Sequence, residues 1–128
     1  MIEKQIGNYA RDGHGLWCVR IRESDQPIGA VGLVTQMEEG ETFHEIGYMI
    51  HRPYWRQGYA YEAAAAVRDW AFANHAYDPV VSFVRPQNTP SQAVARKLGM
   101  TPQDRLIDHA GLPHHVFEIS RRSWEDQR

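Results

Sequence analysis

The sequence predicts a mixed α/β (α+β) domain. Three observations lead there: short segments whose apolar residues alternate or run unbroken, as strands require; two longer segments with apolar residues at helical spacing; and Gly, Pro and Asp punctuation between them. With 128 residues and no long Gly/Ser or Pro run dividing the chain, residues 1–128 fit one domain whose core needs no disulfide. A charged fraction of 23% and a hydrophobic fraction of 42% are those of an ordinary folded chain.

Ile2, Ile6 and Tyr9 stand at helical spacing, so Met1 to Arg11 is expected as a short helix, broken by Asp12-Gly13-His14-Gly15. Leu16 to Ile21 alternates Trp17, Val19 and Ile21 against Leu16, Cys18 and Arg20, which predicts a strand; Glu23 to Pro27 ends it. Ile28 to Val34 is almost wholly apolar, the pattern of a central strand covered on both faces, and Gly29 and Gly32 allow close backbone approach. After a polar turn at Glu38 to Glu41, Phe43 to Ile50 predicts a strand with Phe43, Glu45, Gly47 and Met49 on one face. Ala60 to Ala73 follows as a helix with Ala60, Ala63, Val67 and Trp70 on one face.

Val80 to Val84 is a short buried strand between Asp78-Pro79 and Pro86. Thr89 as N-cap, Pro90 in the first turn, Gln92 as the capping-box partner and Gly99 as a left-handed stop delimit the next helix, whose apolar face is Val94 and Leu98. His114 to Ser120 is a last strand carrying His115, Phe117 and Ile119 on one face, after a loop with Gly111 and Pro113.

A formal net charge of −2 supplies no basic field for phosphate backbones, so no nucleic acid partner is expected. No apolar stretch approaches the roughly 20 residues of a membrane span, so no membrane association is expected. The lone Cys18 forms no intramolecular disulfide and no secretory leader opens the chain, which together point to the cytoplasm. Cys18 lies inside an apolar strand, the usual place of an inert thiol.

The most informative feature is a strand running through a short loop with Gly58 into an alanine-rich helix. Unpaired amides at a helix N-terminus lie at the positive end of its dipole and bind anions, and Gly58 lets a pyrophosphate approach beside Arg56. A glycine before a helix also occurs for structural reasons alone. Three motifs supply the context. They are Glu45-Ile46-Gly47-Tyr48-Met49-Ile50 with Pro53-Tyr54-Trp55-Arg56-Gln57-Gly58-Tyr59-Ala60 and Glu62-Ala63; then Asn88-Thr89-Pro90-Ser91; then Arg96-Lys97-Leu98-Gly99-Met100. In order and spacing they resemble the GNAT superfamily of N-acetyltransferases, in the branch of ribosomal-protein N-terminal acetyltransferases and their small-molecule relatives. The loop pattern there is Gln or Arg, two variable residues, Gly, one variable residue, then Gly or Ala; Trp55 departs at its first position, while Gly58 and Ala60 fit.

The resemblance implies a mostly antiparallel sheet flanked by helices and splayed between two central parallel strands, ending near Ile50 and Val84. It implies acetyl-CoA (coenzyme A) as co-substrate, with the pyrophosphate on Arg56, Gln57, Gly58, Tyr59 and Ala60, and Asn88 bonded to the pantetheine arm. Amides of Tyr48, Met49 and Ile50, near a bulge, would polarise the thioester carbonyl. A primary amine, on a peptide or a small molecule, would attack it directly. Since such an amine is mostly protonated near neutral pH, a base is needed, and Glu45 is the candidate. The proton donor to the leaving thiolate is often a tyrosine in this superfamily; none occurs between Asn88 and Met100, and Ser91 is the available hydroxyl.

Structural roles stand beside these: Glu45 as a strand carboxylate, Ser91 as a first-turn residue, Asn88 as a turn residue, and Tyr48, Tyr54 and Trp55 as core aromatics rather than an acceptor-site lining. The seven histidines, among them His109, His114 and His115, together with Glu118, suggest a metal site, but adjacent strand residues point to opposite faces and no metal is expected. The family begins with one more strand and one more helix than the predicted elements provide. The uncovered sheet edge this leaves predicts a homodimer. A non-catalytic CoA-binding or interaction module is the alternative function.

Overall fold

Strand pairing decides the N-terminal segment. In the computed structural model, which describes residues 2–6, 15–21 and 23–128, Ile2–Ile6 is a strand, β1, antiparallel to β2 (Leu16–Ile21), with Ile2 opposite Ile21 and Ile6 opposite Trp17. The helix expected over Met1 to Arg11 is therefore incorrect across 2–6; residues 7–11 lie outside the described ones. A four-residue spacing such as Ile2 to Ile6 satisfies a period of two as well as one of 3.6, and the edge offered by β2 decides between them.

β3 (Gln26–Glu38) and β4 (Glu41–Ile50) form a hairpin with unbroken register from Gly29↔Ile50 to Glu38↔Glu41. Its two-residue turn, Glu39 and Gly40, has both φ angles positive, 53° and 75°, as twisted hairpins prefer. β3 extends four residues beyond the apolar run because Thr35 to Glu38 pair with Glu41 to His44 through the backbone ladder, with the Thr42 hydroxyl also donating to Met37 Sδ at 2.9 Å. The close approach expected at Gly29 is real: a Cβ there would lie 2.0 Å from the carbonyl oxygen of Met49.

The remaining elements are a 3₁₀ turn at Arg52–Tyr54, α1 (Tyr59–Asn74), β5 (Val80–Val84), α2 (Thr89–Lys97), β6 (Thr101–His109), β7 (Leu112–Ile119) and α3 (Arg121–Asp126). Among the described residues seven strands make one sheet in the order β1-β2-β3-β4-β5-β7-β6, antiparallel except for β4 and β5. The mixed, mostly antiparallel fold is thus as anticipated. β1 covers the edge of β2, so the open edge that suggested a homodimer is not at β2; the sheet's edges are β1 and β6.

β6 and α3 were not anticipated from the sequence. β6 is largely polar and carries Pro102, where its pairing with β7 breaks before resuming at Leu106; this suits an edge strand, which offers no apolar alternation to read. α3 is held by the Ser120 cap and by Trp124, whose ring stacks on Phe72 at 5.0 Å and whose indole N–H donates to Asp69 at 2.8 Å. The Arg121 guanidinium donates to the carbonyls of Phe72 and His75 at the C-terminal end of α1, where a cation is favoured.

Two apolar clusters follow from strand alternation. On one face Ala63, Ala64, Val67 and Ala71 of α1 pack with Val31, Leu33, Ile46, Ile50 and Phe117. On the other, Phe43, Val81, Ile107 and Val116 pack with Phe83. The run of alanines brings α1 close to β4, which sets the first turn of the helix beside the end of that strand.

Candidate active site

β4 and β5 are joined at a single parallel register position, Glu45↔Val81. One residue further on, the buried Ser82 hydroxyl donates to the carbonyl of Ile46 at 2.8 Å, a side-chain bond in place of a ladder bond. Beyond it a cavity of about 250 Å³ opens, lined by Glu45, Gly47, Tyr48, Ser82, Asn88 and Ser91, together with Phe83, Val84, Arg85 and His114. Glu45, Tyr48, Asn88 and Ser91, distant in sequence, thus meet in one cleft.

The backbone of β4 aims at this cleft on alternate residues only. His51 N–H donates to Ile28 of β3, so by strand alternation the amide of Met49 faces β3, whereas those of Tyr48 and Ile50 face the cleft. Two corrections follow. β4 carries no bulge against β3, and Met49 is not among the residues whose amide can reach a ligand between β4 and β5. The Met49 side chain is exposed. The carbonyl of Ile50 is taken by the Trp55 indole N–H at 2.6 Å, so Trp55 acts through its side chain and not only its backbone.

The loop then turns through two left-handed residues, Arg56 at φ 64° and Gly58 at φ 82°. Gly58 is the N-cap of α1, and its carbonyl accepts the first helical bond, from Glu62 N–H. The amides of Tyr59, Ala60 and Tyr61 are those a helix leaves without intrahelical partners. A Cβ on Gly58 would meet nothing within 4 Å, so the glycine is favoured by its φ and its outer side is open. The Gln57 side chain donates back to Pro53 O at 3.1 Å, and the Tyr59 ring packs edge-on to Tyr54 at 6.4 Å; these two side chains brace the loop, leaving their backbone to a ligand. Arg56 is exposed.

Asn88, not Thr89, is the N-cap of α2: its side-chain oxygen accepts from Ser91 N–H at 3.1 Å. The capping box expected between Thr89 and Gln92 is absent, since Gln92 donates to Pro86 O at 2.8 Å. An Asn with a Ser three residues on is itself a cap signal, and Thr89 drew attention from it. The Gly99 stop is as expected: Met100 N–H bonds Ala95 O and Gly99 N–H bonds Arg96 O, each at 3.0 Å, a Schellman closure.

Tyr48 Oη lies 2.8 Å from Ser91 Oγ and 3.1 Å from Ser91 O. A carbonyl only accepts, so both contacts are made when the phenol donates to Ser91 O and the Ser91 hydroxyl donates to Tyr48. Burial raises the pKa of the Tyr48 phenol above its ordinary value, with the Ser91 hydrogen bond opposing, so the phenol stays protonated at neutral pH. Glu45 accepts from Gln36 Nε2 at 3.0 Å and, more loosely, from Phe83 N–H at 3.4 Å, which fixes its carboxylate at the cleft. His114 lines the cleft while His115 packs against Phe117 on the opposite face, as alternation requires. Ser82 is the residue here that sequence reasoning missed, a lone Ser in an apolar strand being the available signal; Trp55 was read as the first position of the loop and a candidate acceptor-site aromatic, and His114 only as a candidate metal ligand.

The model of the GNAT acetyltransferase domain matches residues 1–101. The chain belongs to the GNAT acetyltransferase family. It is 38% identical over 106 residues to the uncharacterized protein YkkB of Bacillus subtilis, covering 83% of this chain and 61% of that one. It is 31% identical over 100 residues to the uncharacterized N-acetyltransferase p20 of Bacillus licheniformis, covering 77% and 55%. The crystal structure of an acetyltransferase from Agrobacterium tumefaciens superposes with a TM-score of 0.70 at 34% identity, over 83% of this chain and 60% of that chain. The chain therefore spans little more than half the length of these relatives. Among its described residues, no helix is long and apolar enough to cross a membrane.

Proposed function

We propose that this GNAT domain transfers an acetyl group from acetyl-CoA to a primary amine by direct attack. The observation that carries the proposal is the opening of the sheet past Glu45↔Val81, with Glu45, Tyr48, Asn88 and Ser91 around it, on a strand that leads through the Gly58 loop into α1. Solved neighbours of the same fold include an aminoglycoside acetyltransferase in complex with coenzyme A, at 15% identity and a TM-score of 0.75. Others are a ribosomal-protein-S5-alanine acetyltransferase from Vibrio fischeri and a spermidine N-acetyltransferase chimera, at 19% and 15% identity. At these identities they support the fold and leave the acceptor open among peptide and small-molecule amines.

In this account the amides of Gly58, Tyr59 and Ala60 hold the pyrophosphate, aided by Arg56 and by the helix dipole. The amides of Tyr48 and Ile50 stabilise the negative charge that develops on the thioester oxygen. Neutral nitrogen attacks the carbonyl carbon, Glu45 takes a proton from that nitrogen, the carbon–sulfur bond breaks, and the thiolate takes a proton from Ser91, which Tyr48 holds in place; Ser91 regains a proton from cleft water as Glu45 releases its own there. A homodimer paired through the β1 or β6 edge belongs to this reading, and a concentration-independent monomer mass in sedimentation contradicts it.

The test is CoA release from acetyl-CoA with a polyamine, an amino sugar and a peptide with a free N-terminus. Turnover that falls roughly 10²-fold or more in Glu45→Gln, with acetyl-CoA affinity unchanged, is the expected result. Acetyl-CoA binding without turnover in the wild type supports the non-catalytic module instead.

A further inference from the structure

We propose that His114 is a second proton acceptor of this site, which neutralises the incoming ammonium before Glu45 acts. The proposal rests on the acetyl-transfer reading above. An alkylammonium must lose two protons from nitrogen to become an amide: one before it can attack, one after the new bond forms. The first leaves to solvent and the second balances the proton given to the thiolate. A single carboxylate cannot take both without first discharging one.

His114 has the geometry for the first. It lines the same cleft as Glu45 and Ser91, on the same sheet face as Glu45 and Phe83, and is half-buried, so a proton taken there can pass to water. Its Nδ1 lies 2.9 Å from the carbonyl oxygen of Leu112. Because a carbonyl only accepts, Nδ1 carries the hydrogen, and the neutral ring keeps its lone pair on Nε2. An imidazole is also a stronger base than a carboxylate. The ring is packed edge-on against His109 at 5.2 Å, and His109 is itself set against Phe83 at 5.0 Å and anchored by Glu38 at 2.6 Å from its Nδ1. The charged and titratable groups around His114 are therefore Glu45 on β4, Arg85 just past β5 and next in register to it, and His109 with Glu38 from β6 and β3. Glu45, a carboxylate at the cleft, draws an ammonium to it.

Strand alternation, which already ruled out a joint His114–His115 metal site in the sequence, sends the two rings to opposite faces. Once separated, His114 is the imidazole of β7 that reaches the cleft.

The test compares wild type, His114→Asn and Glu45→Gln with the same amine panel across pH. Asn keeps a donor where Nδ1 stands and removes the base. His114→Asn is expected to lower kcat/KM roughly 10²-fold at pH 7 with the polyamine. The loss should shrink towards parity as the pH approaches about 10, where an alkylamine is neutral by itself. It should also be smaller for a peptide α-amine, which titrates near about 8, and the Glu45→Gln defect should persist throughout. A pH-independent loss in His114→Asn, or none, overturns the assignment while leaving acetyl transfer intact. A wild type that binds acetyl-CoA but releases no CoA with any of the amines overturns both.

Discussion

The phenol oxygen of Tyr48, on β4, stands 2.8 Å from the hydroxyl oxygen of Ser91, on the first turn of α2, and bridges the two walls of the cleft where β4 and β5 part. Neither residue is there by accident of packing alone: Ser91 is fixed by its amide bond to Asn88, and Tyr48 by alternation with the buried Ile46 and Ile50. Removing the phenol in Tyr48→Phe frees the Ser91 hydroxyl and loses about 1 kcal/mol, so kcat should fall about fivefold with acetyl-CoA affinity little changed.

The raised pKa of Tyr48 has a stability consequence with a definite sign. Between the ordinary tyrosine value near about 10 and its own higher value, the folded state holds a proton that the unfolded state has lost. Its contribution is complete below about pH 10 and is lost as pH rises through the folded value. Over the interval between those two values, chemical denaturation should therefore show wild-type stability falling more steeply with pH than that of Tyr48→Phe.

Asn88 separates a cap from a ligand contact. Asn88→Ala removes the bond to Ser91 N–H and should cost about 1 kcal/mol in urea unfolding, whereas Asn88→Ser keeps an oxygen at the cap and should cost a few tenths at most. If the amide also bonds the pantetheine arm, both variants lose acetyl-CoA affinity by calorimetry, and Ser does not rescue it.

Trp55→Phe keeps an aromatic ring over Arg52 but leaves the Ile50 carbonyl without its donor. The expected cost is about 1 kcal/mol, with weaker acetyl-CoA binding because the loop to Gly58 starts from that bond. Unchanged affinity would show that the loop is positioned by the helix alone.

Gly29→Ala tests the register that aims β4. Its Cβ would sit 2.0 Å from Met49 O, a backbone atom that cannot rotate away, so a loss near about 3 kcal/mol is expected, together with weakened acetyl-CoA binding. Stability close to wild type in urea would contradict the close approach.

What was legible in the sequence follows from which constraints are local. β2 and β5 were readable to the residue because their apolar pattern is bounded by polar or Pro punctuation, and the Gly58 loop and Gly99 stop because positive φ favours glycine. β1 was misassigned because Ile2 and Ile6 fit two periods, and β6 was missed because an edge strand with Pro102 that buries only Ile107 shows no apolar alternation. The meeting of Tyr48 with Ser91, 43 residues apart, depends on where two strands diverge, which no local pattern encodes.

Thermal unfolding of wild type and Gly58→Glu, each with and without acetyl-CoA, tests the central claim most directly. A ligand at about a hundred times its Kd stabilises by about 2.7 kcal/mol, a rise of several degrees for a domain of this size. The account predicts that rise in wild type and its loss in Gly58→Glu, whose side chain would project into the open space beside the α1 amides at a modest cost in φ strain. No rise in wild type, or an equal rise in both proteins, would contradict the assignment of the Gly58 loop as the pyrophosphate site.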